Sequence, residues 1–221
     1  MTSGRRPRYL ARGAVLLAVL PGLLSLTGCT RAVDGVPAAG PVASPGSVEE
    51  LEPLIVTDLP SGLPRLPDEE LDPPAGAKRA EDVAGYADDP ARERDVLEGY
   101  GYRHGWERFW GNGSAPMTGV FVDQFDTRAG AGAYAEDLAR NDAEHYDGVL
   151  VEDPPHLPGS CHLLTVEDPS PDAGLTGPAA LVWCSHGVFS VGVTAVGSSV
   201  DDAEQEVRTV LDEQLERLPP R

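Results

Sequence analysis

Nine prolines fall between residues 30 and 75 (Pro37, Pro41, Pro45, Pro53, Pro60, Pro64, Pro67, Pro73 and Pro74). Proline fixes φ and removes an amide donor, so no long helix or central strand can be laid across that spacing. Acidic runs sit among them, Glu49-Glu50 and Asp68-Glu69-Glu70. Such a stretch buries too little apolar surface to offset its ordering entropy. The expectation is an acidic, proline-stiffened tether over residues 29–76. At about 3.1 Å per residue it would reach more than roughly 100 Å. A second reading pairs Leu51-Glu52-Pro53-Leu54-Ile55-Val56 as an edge strand or packs it on the domain, because apolar residues cluster there.

Residues 77–221 carry the punctuation of one folded domain. Asp89 before Pro90, with Gly99 and Gly101 beyond, predicts a short helix with an N-cap, a proline at its first position and a glycine stop. Tyr102 to Trp110 reads as extended, and Met117 to Phe125 as a strand after the Gly111-Asn112-Gly113-Ser114 turn. Asp126 or Thr127 caps a helix to about Asn141, with Ala131, Tyr134 and Leu138 on one face. Cys161 to Glu167 is a further strand. Ala179 to Cys184 and Val188 to Val196 form a hairpin about His186-Gly187. Ser198 or Ser199 then caps a helix with an apolar stripe of Ala203, Val207, Val210, Leu211, Leu215 and Leu218. Asp201, Asp202 and Glu204 in its first turn and Arg217 in its last suit the helix dipole.

The class is α+β, one curved antiparallel sheet of about five strands packed by helices. Gly119-Val120-Phe121 recurs as Gly187-Val188-Phe189, 68 residues on, each opening a strand that leads into a helix. Two β-β-α units sharing the sheet would explain the echo, and so would coincidence.

The front of the chain is an address. Arg5, Arg6, Arg8 and Arg12 precede a short apolar run from Ala14, which ends at Leu26-Thr27-Gly28-Cys29. A basic region, a short apolar region and a small-residue site make a secretory signal over residues 1–28, too short for an ordinary spanning helix. The last four residues resemble the bacterial lipobox. That resemblance implies cleavage before Cys29 and a lipid on its sulfur, with palmitate-type acyl chains anchoring the protein at the extracytoplasmic face of the cell membrane. Arg5-Arg6 hints at twin-arginine export, but Pro7-Arg8 departs from that pattern. Removal of the signal leaves 13 basic against 36 acidic residues, a net charge of −23. Acyl chains at about 0.8 kcal/mol per buried methylene anchor without a basic patch, and the acidic body is held off an anionic surface. The same acidity argues against a nucleic-acid partner.

Cys161 and Cys184 are the remaining cysteines, and two thiols in an oxidising compartment are expected to pair. Cys161-His162 and Cys184-Ser185-His186 have the composition of a zinc site. Neighbouring strand residues point to opposite faces, however, so no metal is expected. A disulfide would also remove the thiolate that a Cys-His nucleophile needs. No Gly-x-Ser-x-Gly elbow, His-Glu-x-x-His pair, phosphate-binding glycine loop or calcium loop is present, and no cofactor is expected.

The richest remaining feature is aromatic: Tyr100, Tyr102, Trp106, Phe109 and Trp110, with Arg103 and His104 among them. Aromatic faces beside polar groups suit amphipathic ligands, so Tyr102, His104, Trp106 and Trp110 are the candidate ligand-binding residues. The competing reading is that they form the core face of the sheet. Trp106 is expected in the core and Trp110, beside the turn, more exposed.

The lipobox, the acidic tether and the strand-helix ending Gly187 to Leu218 resemble small actinobacterial secreted lipoproteins. That resemblance implies an exported α+β domain of sensor or ligand-binding type. The expected function is non-enzymatic binding of a small ligand or an envelope protein. The alternative is a hydrolase or transferase acting on cell-wall material, which a pocket with converging carboxylates would favour.

Overall fold

Caps and stops place the principal elements where the sequence puts them. A computed structural model describes residues 44–113 and 115–219, which belong to one unit spanning Ala39–Arg221. The signal, Cys29 and residues 30–43 lie outside the described residues. Helix α3 (Pro90–Tyr100) starts where the Asp89 side chain accepts from the Arg92 amide at 3.1 Å, and stops at Gly101. Helix α4 (Arg128–Tyr146) is capped by Thr127, whose hydroxyl accepts from the Gly130 amide at 3.0 Å. Helix α5 (Val200–Arg217) is capped the same way by Ser199, from the Asp202 amide at 3.1 Å. Two short helices, α1 (Val48–Leu51) and α2 (Ala80–Ala84), are the other α-helices among the described residues.

Among the described residues one antiparallel sheet of seven strands, rather than about five, organises the fold. Its strands are β1 (Gly76–Lys78), β2 (Tyr102–Gly111), β3 (Met117–Phe125), β4 (Val149–Glu152), β5 (Cys161–Val166), β6 (Ala179–His186) and β7 (Phe189–Val196). Their spatial order is β1-β2-β3-β7-β6-β5-β4. The two extra strands are the edges. At three and four residues they are too short to carry a period in sequence. The two β-β-α units are present in order, β2-β3-α4 and β6-β7-α5, with β3 and β7 paired at the centre. Their helices cover opposite faces, α4 packing on Leu164, Leu181 and Trp183 and α5 on Val182, Val191 and Val193. Gly119 lies inside β3 whereas Gly187 lies in the β6–β7 turn, so the tripeptide echo does not occupy equivalent positions.

Cys161 and Cys184 face each other across β5 and β6 with Cα atoms 4.1 Å apart and are joined by a disulfide. Closing a loop of this length stabilises a domain by about 3 kcal/mol in the chain-entropy account. Both sulfurs are thereby consumed, which leaves no thiolate for the zinc or nucleophile readings.

Over its described residues, from 44 onward, the expected tether is corrected. Residues 44–66 form a strap across the sheet face that also carries α5. Leu51, Ile55 and Val56 are fully buried there and Leu59 nearly so, in one cluster with Trp106, Trp110, Val207 and Leu211. Proline obstructs regular structure but not burial, and the strap obtains its backbone hydrogen bonds from distant side chains. The buried Arg108 guanidinium donates to the carbonyls of Ile55 (3.3 Å) and Val56 (2.8 Å). Gln214 of α5, also fully buried, donates to Leu54 O at 2.9 Å and accepts from the Val56 amide at 3.0 Å. Gln124 donates to Pro45 O at 3.0 Å, and the end of β2 receives Pro64 and Leu66 through backbone bonds. The folded part therefore begins well before residue 77.

Candidate functional site

Strand alternation sorts the aromatic cluster onto two faces. His104, Trp106 and Trp110 turn toward the strap. His104 bonds through Nε2 to Gln124 Oε1 at 3.1 Å, and Trp110 donates through Nε1 to Thr57 O at 3.4 Å. Trp110 is 1% exposed and Trp106 9%, the reverse of the expected order, because the strap lies over the end of β2. A register irregularity between Tyr102 and His104 sends Tyr102 to the opposite face, where its ring meets Phe125 edge-on at 5.6 Å. The four candidate residues are therefore not one platform.

The opposite face holds a cleft of about 310 Å³. Helix α4 covers the β6–β5 side of this face, and α2 with α3 cover its far end. Between them the floor is formed by β2, β3, β7 and β6. Phe109 and Phe121 stand in that floor, their rings edge-to-face at 5.4 Å. Phe109 lies over Gly119, its cross-strand partner, where a Cβ would come within 2.8 Å of the ring. Gly192, Ser190 and Thr194 of β7 keep the floor low, and Trp183, Tyr134 and Leu138 line the side toward α4.

Two carboxylates stand at the β2 end. Glu107 is paired with Lys78 at 3.1 Å, and the exposed Tyr86 donates its hydroxyl to it at 3.1–3.2 Å. Burial pushes the Glu107 carboxyl upward against the pull of Lys78. Asp123 is the diagonal neighbour of Glu107, opposite Gly105. A Cβ at Gly105 would lie 2.1 Å from Asp123 Oδ1 and 2.7 Å from Tyr102 Oη, so the carboxylate and the hydroxyl meet above a backbone that only glycine leaves open. That hydroxyl is buried without a well-formed hydrogen bond. Among the described residues no basic side chain pairs with Asp123, and burial, reinforced by the Glu107 charge, pushes its carboxyl up to about 7. A carboxyl raised on folding binds its proton more tightly in the native state. Its contribution to stability is therefore greatest at acid pH and declines as pH rises toward and through 7. Asp142 of α4, deeper along the cleft, is pushed up to about 6 by burial.

Sequence reading had Phe109 in the aromatic cluster but missed Phe121, Glu107, Asp123, Tyr134 and Trp183. The available signal was the period of two across β2 and β3, which sets Glu107 and Phe109 beside Gly119, Phe121 and Asp123. Among the described residues no group of His, Cys, Asp and Glu is arranged to hold a metal ion, and no helix is long and apolar enough to cross a membrane.

No protein-family model matches the chain, and no curated protein matches its sequence. Among solved structures, the chain is similar to the extracellular domain of PknH from Mycobacterium tuberculosis, at 14% identity and a TM-score of 0.44. That likeness covers 80% of this chain and 98% of the other.

Proposed function

We propose that this protein is a lipid-anchored binding domain of the cell envelope that captures a small amphipathic ligand in the cleft beneath α4, without catalysis. The carrying observation is the cleft itself: concave, floored by Phe109 and Phe121, with a few polar groups at its β2 end. A hydrolase reading requires two free carboxylates converging on one point; Glu107 is tied to Lys78 and Tyr86, which among the described residues leaves Asp123 with no second free carboxylate coupled to it. Ser190, Thr176 and Thr194 line the cleft, but among the described residues no histidine does, so none of these hydroxyls has an imidazole base beside it there.

The lipobox and the Cys161–Cys184 disulfide both support an exported chain. Cys29→Ser is expected to release the protein from membranes or leave an unprocessed precursor. A Ser variant that still fractionates as a processed, detergent-requiring form would refute the anchor.

Occlusion tests the cleft. Thr194→Trp places a large ring above the floor, and it is expected to abolish binding of an uncharged probe such as 1-octanol while shifting the melting temperature little. Calorimetric titration reads both proteins. Undiminished octanol binding by the variant, or none by the native chain, would refute the cleft as a ligand site.

A further inference from the structure

The lining of the cleft has one sign of charge. Glu107, Asp123 and Asp142 reach it, while among the described residues no lysine, arginine or histidine does. Lys78, the single lysine of the chain, stands behind Glu107, 4% exposed, with that carboxylate at 3.1 Å. One carboxylate is thus neutralised from outside the cleft and Asp123 is not. Aromatic rings line the same cleft, Phe109, Phe121 and Tyr134 among them, and their π-faces attract cations. The Tyr102 hydroxyl stands against Asp123 above Gly105, where the absent side chain leaves the two groups room to meet.

Resting on the cleft reading above, we infer that the ligand is a cationic amphiphile, an amine or quaternary ammonium group seated against Asp123 with its apolar body along Phe109 and Phe121. A carboxylate or phosphate head would bring a second negative charge to a site whose described lining offers no cation to receive it. An uncharged head would gain only the apolar floor. The cation is the one head group that both Asp123 and the rings of the cleft favour.

Three probes with one tail decide this: octyltrimethylammonium, 1-octanol and octanoate, titrated calorimetrically into the full-length protein at fixed ionic strength and at about pH 8.5, above the value of about 7 to which burial pushes Asp123, so that its carboxyl is ionised. The cation is expected to bind at least about tenfold tighter than octanol, and octanoate more weakly than either. Asp123→Asn keeps the shape of the side chain and is expected to bring the cation down to the affinity of octanol. Octanol binding by that variant reports that its cleft is intact. Asp212→Asn, on the exposed side of α5 across the sheet, controls for the overall negative charge and should leave the preference unchanged. Equal binding of cation and octanol by the native protein, or a preference that survives Asp123→Asn, overturns the inference while the cleft reading stands on octanol. If none of the three binds, the cleft reading itself fails and the inference with it.

Discussion

A chain beginning at residue 77 is expected to lose cooperative folding, whereas one beginning at residue 44 should melt as the full-length protein does. Leu51, Ile55, Val56 and Leu59 leave the core in the shorter chain, and each buried aliphatic side chain contributes about 1.5–3 kcal/mol. Four such losses rival the ~5–15 kcal/mol that holds an ordinary domain together. The truncation also uncovers Trp110 and deprives Arg108 and Gln214 of the carbonyls they satisfy. Gln214→Leu is a milder form of the same experiment. It preserves the volume, removes both bonds to the strap, and should cost about 1–3 kcal/mol while the chain still folds. Circular dichroism during heating reads all of these. A 77–221 chain melting within a few degrees of the longer one would mean that the strap rests on the sheet without supporting it.

The strap was hard to read in sequence for a physical reason. Helices α3 and α5 announce themselves through local signals, the Asp89-Pro90 start and the Ala203-Val207-Val210-Leu211 stripe, whose partners lie within one or two turns. Nothing near Ile55 or Val56 says that Arg108 and Gln214 will accept them as neighbours. Those contacts span 52 and 158 positions, and the local composition, dense in proline and acid, is that of a solvated linker. The one local hint was the apolar clustering of Leu51 to Val56, which packs on the domain, though through helical turns and not as the edge strand that was the other form of that reading. Gln214 itself interrupts the apolar stripe of α5 and looks like a boundary of the buried face when it is in fact fully buried.

The cleft was obscured by a different effect. Alternation identifies a strand's buried face only when the other face meets water. Here β2 is covered on both sides: Trp106, Arg108 and Trp110 lie under the strap, while Glu107 and Phe109 face α2 and the cleft. Tryptophan drew the ligand hypothesis to the strap side because large aromatic residues serve cores and binding sites alike. Glycine was the better guide. Gly105 faces Asp123 and Gly119 faces Phe109, two positions where one strand gives up a side chain so that its neighbour's can lie flat above it.

Trp110→Ala should therefore destabilise the protein strongly and leave the cleft's ligand preference alone. Trp110 is the largest side chain in the fully buried set, enclosed by the strap, and its indole donates to Thr57 O. Truncating a core tryptophan costs about 3–5 kcal/mol through lost burial and the cavity left behind. The shift in melting temperature should be many degrees, as large as any single substitution in this domain is expected to produce. Trp106→Ala should fall in the same range, since Trp106 is nearly as buried and its indole nitrogen has no hydrogen-bond partner to lose. Both rings lie across the sheet from Phe109, Phe121 and Asp123, so octyltrimethylammonium should bind either variant as it binds the native protein at temperatures where the variants remain folded. Trp183 lines the cleft, and Trp183→Ala should lose stability and probe affinity together. A Trp110→Ala protein with a native melting temperature and no probe binding would return the ligand site to the strap face and overturn the assignment of faces on which the cleft reading depends.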